Sequence, residues 1–187
     1  GKNVSLALSK CGRRLRKYRG KDSSWWNYKM GLFDKTVDDV PFENRWKCSP
    51  HTSGANGGHE INLIDLFEKG LNLYGSVKES KDNRLIFNDD LIENLKFSDD
   101  YALNWAKNVD EFIRKENLDA PYEKISKDSR LKLFEKHKSL ELSILPKIKS
   151  IIWATGFKYN YACCIYATAP LLQPKDIYKS QKIITQS

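Results

Sequence analysis

The segment 150–157 reads Ser-Ile-Ile-Trp-Ala-Thr-Gly-Phe, and it decides the fold that we expect of this chain. Ile151, Ile152 and Trp153 are consecutive β-branched or aromatic residues, typical of a strand buried on both faces in a parallel sheet. Ala154-Thr155-Gly156 then ends the strand with small residues, so a cofactor can come close and the Thr155 hydroxyl can bond a phosphate or ribose. We therefore expect an α/β fold with a ligand site at this tripeptide, because ligands of open α/β sheets bind at the carboxyl ends of strands. An ordinary strand that ends in a glycine turn is the alternative.

A cluster of cations follows the first predicted strand, Val4–Ser9, in which apolar residues alternate with small or polar ones. Its members are Lys10, Arg13, Arg14, Arg16, Lys17, Arg19 and Lys21. Cations at the end of the second strand of a dinucleotide-binding fold recognise a 2′-phosphate and favour NADP over NAD. The same cluster also suits a nucleic-acid backbone, or it is a solvated loop.

The totals indicate a soluble globular protein. The chain has 187 residues, of which 40% are hydrophobic and 30% charged, and its net charge of +8 favours an acidic partner. No apolar run approaches the roughly 20 residues that span a bilayer, so we expect a cytoplasmic location and no membrane segment. The spacing of the four cysteines predicts free thiols, and the scattered histidines predict no metal site.

Two further stretches carry functional alternatives. Trp25 and Trp26 belong to an aromatic-rich segment, Asp22–Asp39, that must pack on a core or stack on the bases of a nucleic acid. The glycine-rich segment Ser53–Gly58 precedes a helical pattern, as a phosphate-binding loop would. It matches neither nucleotide fingerprint, so we interpret it as a surface loop.

The middle of the chain alternates helical and strand patterns. We expect a helix over 61–67 ended by Gly70, a strand over 71–77, a polar turn over 78–83 and a strand over 84–87. Ser98-Asp99-Asp100 is expected to cap a second helix after one that begins beyond Asp90. An aromatic stripe through Trp105 then predicts a core-facing helix.

Three stretches together resemble one family, the bacterial putative flavoproteins associated with potassium transport or cation efflux, which are similar to NADPH-dependent flavin monooxygenases. The first stretch is Arg13–Asp22 with Trp26 and Gly31–Asp34. The second comprises Ser53–Gly58 and the segment Leu63–Gly75, and the third is Trp153–Phe157 with its Ala-Thr-Gly motif.

The resemblance implies a fragment of an FAD- and NADPH-dependent oxidoreductase in which hydride passes from NADPH to FAD and oxygen is then activated. It implies a partial Rossmann-like NAD(P)-binding domain over 1–148, a return segment to an FAD domain over 149–161 and a divergent tail over 162–187. The cofactor-binding residues that it implies are Ser9, Arg13, Arg14, Ala154, Thr155 and Gly156, whereas the catalytic residues are unknown. A substrate is not implied, and a complementing chain or oligomer would supply what the fragment lacks.

Both G-x-G-x-x-G loops and the first strand of the family pattern are absent from the sequence. We therefore expect an internal fragment that is inactive by itself and holds no flavin tightly. The alternatives are a small basic nucleic-acid-binding module and a non-functional remnant of a truncated gene.

Overall fold

The computed structural model describes residues 2–44, 49–135, 140–143 and 148–154. The chain divides into two compact units, residues 1–150 and 151–187, and the described helices and strands all belong to the first. The described residues form a mixed α/β structure of short strands and three α-helices.

The strands are short and belong to four small sheets. They are β1 (Ser5–Ala7), β2 (Lys17–Tyr18), β3 (Lys21–Asp22), β4 (Thr52–Ser53), β5 (His59–Glu60), β6 (Asn72–Tyr74), β7 (Val77–Lys81), β8 (Arg84–Phe87) and β9 (Glu141–Ser143). β1 and β6 pair in parallel, with Leu6 opposite Leu73. The other sheets are antiparallel: β2 with β3, β4 with β5, and β8 between β7 and β9.

The helices are α1 (Ser23–Lys29), α2 (Leu63–Glu68) and α3 (Leu91–Lys115). The Asp22 carboxylate accepts a hydrogen bond from the Ser24 N–H at 2.8 Å, and the Asn62 side chain accepts one from the Ile64 N–H at 2.9 Å. These side chains satisfy amide groups that the first turn of a helix leaves without partners. Gly70 follows α2 with φ +99°, so the predicted helix with a glycine end is confirmed.

α3 is one continuous helix of 25 residues, and the prediction of two helices divided at Ser98-Asp99-Asp100 is wrong. Ser98 and Asp99 are buried in the middle of α3. A cap residue needs non-helical backbone, but here the apolar face continues on both sides, from Leu95 to Trp105. The Asp99 carboxylate takes its hydrogen bonds from other segments instead.

Two apolar clusters pack along α3, one at each half. Leu91 and Leu95 belong to the first, with β1, β6 and α2 residues and with Phe134 from the 3₁₀ helix Ser129–Phe134. The second contains Trp105 and Val109 with Tyr18 and Trp26. The predicted stripe is therefore core at Trp105 and Val109, whereas its first aromatic residue, Tyr101, is 37% exposed. Trp26, which packs against this part of the stripe, is 1% exposed.

The predicted polar turn over 78–83 is wrong in its extent. Residues Val77–Lys81 form strand β7, and the hairpin to β8 turns only at Asp82 and Asn83, whose φ angles are +47° and +58°. Positive φ at both central residues is typical of the tight turns that match the twist of a hairpin. All five β7 residues are exposed, so this strand has no buried face. Its sequence is therefore polar and lacks the apolar positions from which a strand is usually predicted.

The predicted buried strand at Ile151–Trp153 is also wrong. These residues belong to no strand, and Ile151, Ile152 and Trp153 are 48%, 89% and 71% exposed. Consecutive apolar residues form a buried strand only where a neighbouring strand supplies hydrogen bonds, and the segment itself does not encode that condition. Within the described part of the chain, no helix is long and apolar enough to cross a membrane.

Candidate functional site

The candidate site begins where β1 ends. The pairing with β6 continues one residue further, because the Leu8 N–H donates to the Tyr74 carbonyl at 3.0 Å. Ser9 is exposed immediately after it, while Cys11, Gly12 and Arg13 turn inward and are buried. The cationic segment thus starts at the carboxyl end of a strand in a parallel pair.

Arg13 forms a buried ion pair with Asp99 of α3. Its guanidinium also reaches Glu60 of β5, with an Nη1–Oε2 distance of 3.2 Å, and the residue is 7% exposed. The second oxygen of Asp99 accepts the Asp128 N–H at 2.9 Å. The carboxylates of Asp99 and Glu60 therefore neutralise the charge of Arg13. Through them, Arg13 connects the end of β1 to α3 and to the β4–β5 hairpin.

Arg14 lies beside His51 and lacks such carboxylates among the described residues. The Arg14 N–H donates to the His51 carbonyl at 3.1 Å, and the His51 N–H donates to the Gly12 carbonyl at 2.7 Å. Arg14 Nε and His51 Nδ1 are both buried with no hydrogen-bond partner in the structure. Burial lowers the pKa of His51, so its ring is neutral at pH 7 and the charge here belongs to Arg14.

Arg16 packs against the glycine-rich loop. Its Nε lies 2.8 Å from Asp22 Oδ2, close enough for an ion pair, although the direction of the N–H is poor for a hydrogen bond. A side chain at Gly58 would overlap the Arg16 guanidinium, and Gly58 has φ +88°. The predicted surface loop Ser53–Gly58 is therefore the tip of the β4–β5 hairpin, folded onto the cationic segment.

We call Ser9, Arg14, Arg16, His51 and Gly58 the Arg14 site. It combines one guanidinium that has a buried unpartnered nitrogen, a second that is paired with a carboxylate, and a close-packed glycine. Such a group can bind an anion, because Arg14 is half-buried and no carboxylate among the described residues pairs with its guanidinium.

The six predicted cofactor-binding residues have different environments. Ser9 is exposed, Arg13 is buried and paired, and Arg14 is half-buried. Ala154 is exposed outside any strand, and Thr155 and Gly156 lie outside the described residues. The structure thus places Ser9, Arg13 and Arg14 on one short segment and describes no environment for the Ala-Thr-Gly motif as a whole.

Sequence reasoning missed His51, Glu60 and Asp99 as neighbours of the cationic segment. His51 and Glu60 flank the glycine-rich loop, and they meet the cationic segment through the bridge between Arg13 and His51 and the ion pair between Arg13 and Glu60. For Asp99 the sequence contained one signal of a buried partner, which is an acidic residue at the centre of an apolar helix face.

The Lys10–Lys21 segment has less unpaired positive charge than its number of lysines and arginines suggests. Carboxylates pair with Arg13, Arg16 and Arg19, the last at 2.7 Å from Asp110. Tyr18 beside them donates to Asp110 at 2.9 Å, and burial together with that carboxylate raises the pKa of Tyr18 to about 12.

The chain matches no family model, no curated protein sequence and no solved structure.

Proposed function

We propose that this chain contributes the NADPH-recognising part of an FAD- and NADPH-dependent oxidoreductase of the flavin monooxygenase type, working in the cytoplasm. The fold that goes with this proposal is a partial Rossmann-like domain. The observation that carries it is Arg14: a half-buried arginine that no described carboxylate pairs with, in the segment that follows a strand of a parallel pair.

The position of Arg14 is favourable for a 2′-phosphate. In dinucleotide-binding folds the adenosine ribose lies at the carboxyl end of a strand, and a nearby arginine accommodates the phosphate on its 2′-oxygen. Ser9 is exposed between β1 and Arg14, and its hydroxyl can donate to the same group. A planar guanidinium can give a phosphate two parallel hydrogen bonds, which a lysine cannot.

Arg13 has a different role in this proposal. Because Asp99 and Glu60 already pair with it, a phosphate would have to displace a buried carboxylate to reach its guanidinium. We therefore assign Arg13 to holding the segment in place, and its removal would change coenzyme binding by loosening the fold. Arg14 is the residue whose substitution tests recognition itself.

NADPH supplies a hydride and FAD accepts it when both are bound. For the phosphate of NADPH, the proposal rests on Arg14. The FAD part depends on Ala154, Thr155 and Gly156, two of which lie outside the described residues, so it rests on the resemblance alone.

The test is calorimetric titration of the full chain with adenosine 2′,5′-bisphosphate, with NADPH and with NADH. We expect the 2′-phosphorylated ligands to bind more tightly, and Arg14→Gln to weaken them by about ten- to hundredfold while NADH is unaffected. Arg84→Gln is the matched control, because Arg84 is 61% exposed in a surface pair with Glu141. Equal binding of NADPH and NADH, or an unchanged affinity in Arg14→Gln, would remove the proposal.

The alternative is a basic nucleic-acid-binding module. It is less favoured because three arginines of the cationic segment are paired with carboxylates and Trp26 is buried. A steep fall of oligonucleotide affinity with salt concentration would favour this alternative over NADPH recognition.

A further inference from the structure

A groove of about 360 Å³ lies at the end of the cationic segment, between β3 with the start of α1 and the residues that follow α3. Its lining includes Arg19, Lys21, Trp25, Leu118, Asp119 and Pro121. A volume of this size falls within the range of small-molecule sites, roughly 300–1,000 Å³. Its residues are distinct from those of the Arg14 site.

The walls of the groove are fixed by packing. Trp25 stands edge-on to the buried Trp26, with ring centroids 4.7 Å apart and an interplanar angle of 84°. Arg19 donates to Asp110 at 2.7 Å and to the Ala120 carbonyl at 3.4 Å, which holds the opposite wall in place. A half-buried indole that is held by its contact with Trp26 needs little rearrangement of its own to stack on a ligand.

Cations surround the exposed aromatic surface. Lys21 Nζ lies 5.3 Å from the centroid of the Trp25 ring, and Lys29 Nζ lies 5.7 Å from it. Arg19 Cζ lies 5.9 Å from the centroid of Tyr122, a residue that is 82% exposed. Among the lining residues only Asp119 carries a negative charge, and Arg19 is already paired with Asp110. Among the residues that the structure describes, no carboxylate pairs with either lysine, so the charges available next to Trp25 are those of Lys21 and Lys29.

We propose that this groove binds a small planar anion, an aromatic ring with a carboxylate or phosphate group. The ring stacks on Trp25 between the apolar walls of Leu118 and Pro121, and the anionic group pairs with Lys21 and Lys29. Apolar walls with a few placed charges are the usual composition of a ligand pocket. This proposal is independent of NADPH recognition, because it involves none of the residues of the Arg14 site.

The test compares 1-naphthoate with the uncharged 1-naphthylmethanol, both titrated into the ¹⁵N-labelled full chain and followed by NMR at the tryptophan indole N–H groups. We expect the Trp25 signal to shift. The Trp26 and Trp105 signals should move little, because their N–H groups donate internally to the Tyr18 carbonyl at 2.7 Å and to Asn27 Oδ1 at 2.9 Å. Trp25→Phe identifies the Trp25 signal.

Two variants separate stacking from charge. Trp25→Leu should weaken both ligands about tenfold or more. Lys21→Gln combined with Lys29→Gln should weaken 1-naphthoate about tenfold and leave 1-naphthylmethanol unchanged. Lys107→Gln is the matched control on the solvent-exposed face of α3, where Lys107 is 73% exposed, and it should change neither affinity.

Several outcomes would overturn the proposal. They are equal affinity for the charged and uncharged ligands, no effect of the double lysine variant, and a Trp25 signal that does not move. A thymidine oligonucleotide that binds here far more tightly than 1-naphthoate, with a steep salt dependence, would instead assign the groove to nucleic acid. The lysine variant keeps the test decisive if Trp25→Leu fails to fold, and failure of the Arg14→Gln test would leave these results unchanged.

Discussion

Arg13 and Asp99 are 86 positions apart in the chain, and their side chains form an ion pair in which both residues are buried. Each has a further hydrogen-bonding partner, Glu60 for Arg13 and the Asp128 N–H for Asp99. Four separate segments thus meet at one pair of charges. Removal of one member of such a pair leaves an uncompensated charge away from water.

We expect Arg13→Met to lower the free energy of unfolding by about 3–5 kcal/mol, because it leaves the buried Asp99 carboxylate without its cationic partner. The double variant Arg13→Met with Asp99→Leu should recover part of that loss. Urea unfolding at pH 7 measures both. Arg84→Met is the control, and loss of its exposed pair with Glu141 should cost less than about 1 kcal/mol. An Arg13→Met variant as stable as Arg84→Met would show that the buried pair contributes little.

The adjacent tryptophans provide a second prediction. Trp26 is 1% exposed and donates to the Tyr18 carbonyl at 2.7 Å, whereas Trp25 is half-buried at the groove. Trp26→Ala should therefore cost about 3–5 kcal/mol of unfolding free energy. Trp25→Ala should cost about 1 kcal/mol, in the range of ordinary substitutions. The midpoint temperatures of thermal unfolding of the two variants test this prediction. Equal midpoints would contradict the difference that we expect between Trp26 and Trp25.

The sequence predicted much of the core, because the stripe through Trp105 has helical spacing. The end of α2 at Gly70 was equally local information. Local patterns succeeded wherever one element contains its own signal.

Predictions from local patterns failed where the environment of a residue depends on another element of the structure. Asp99 has the composition of a cap, but its partner Arg13 makes it a buried mid-helix residue. Ile151–Trp153 has the composition of a buried strand, but its residues are exposed and belong to no strand. His51 belongs to the candidate site because it forms a β-bridge with Arg13. No local sequence pattern at either residue encodes that bridge.

Two glycines give a matched third prediction. A Cβ at Gly75 would overlap the Asn88 carbonyl oxygen and Asp90 Oδ1, at the turn that leads into β7. Gly75→Ala should cost about 1–3 kcal/mol, because the overlapping atoms include backbone. Gly54 has φ −90° and no atom within 4 Å of a built Cβ, so Gly54→Ala should be neutral or stabilising by up to about 1 kcal/mol. Chemical denaturation compares the two, and a Gly75→Ala variant as stable as Gly54→Ala would refute the steric argument.

The last prediction concerns acid. The Arg130 guanidinium donates to both oxygens of Asp128, at 2.9 and 2.6 Å. These hydrogen bonds hold the pKa of Asp128 at about 2, below its ordinary value of 3.8. A carboxyl group whose pKa is lower in the folded state stabilises the fold above its unfolded pKa. That stabilisation is complete above about pH 5 and is lost as the pH falls through 3.8 towards 2, because the unfolded chain takes up the proton first.

Arg130→Gln removes the charge that lowers the pKa of Asp128, so the variant should be less stable than the original chain at pH 6. The difference in unfolding free energy between them should shrink steadily from pH 5 to pH 2.5, because protonation of Asp128 removes the same interaction from the original chain. Urea titrations at several pH values measure this difference. Lys127→Gln is the neighbouring control, since Lys127 is 68% exposed, and it should give a much smaller change with pH. A difference for Arg130→Gln that stays constant down to pH 2.5 would mean that Arg130 stabilises the fold through Asp65 and Glu68, its other two partners, or through packing, and not through the Asp128 charge.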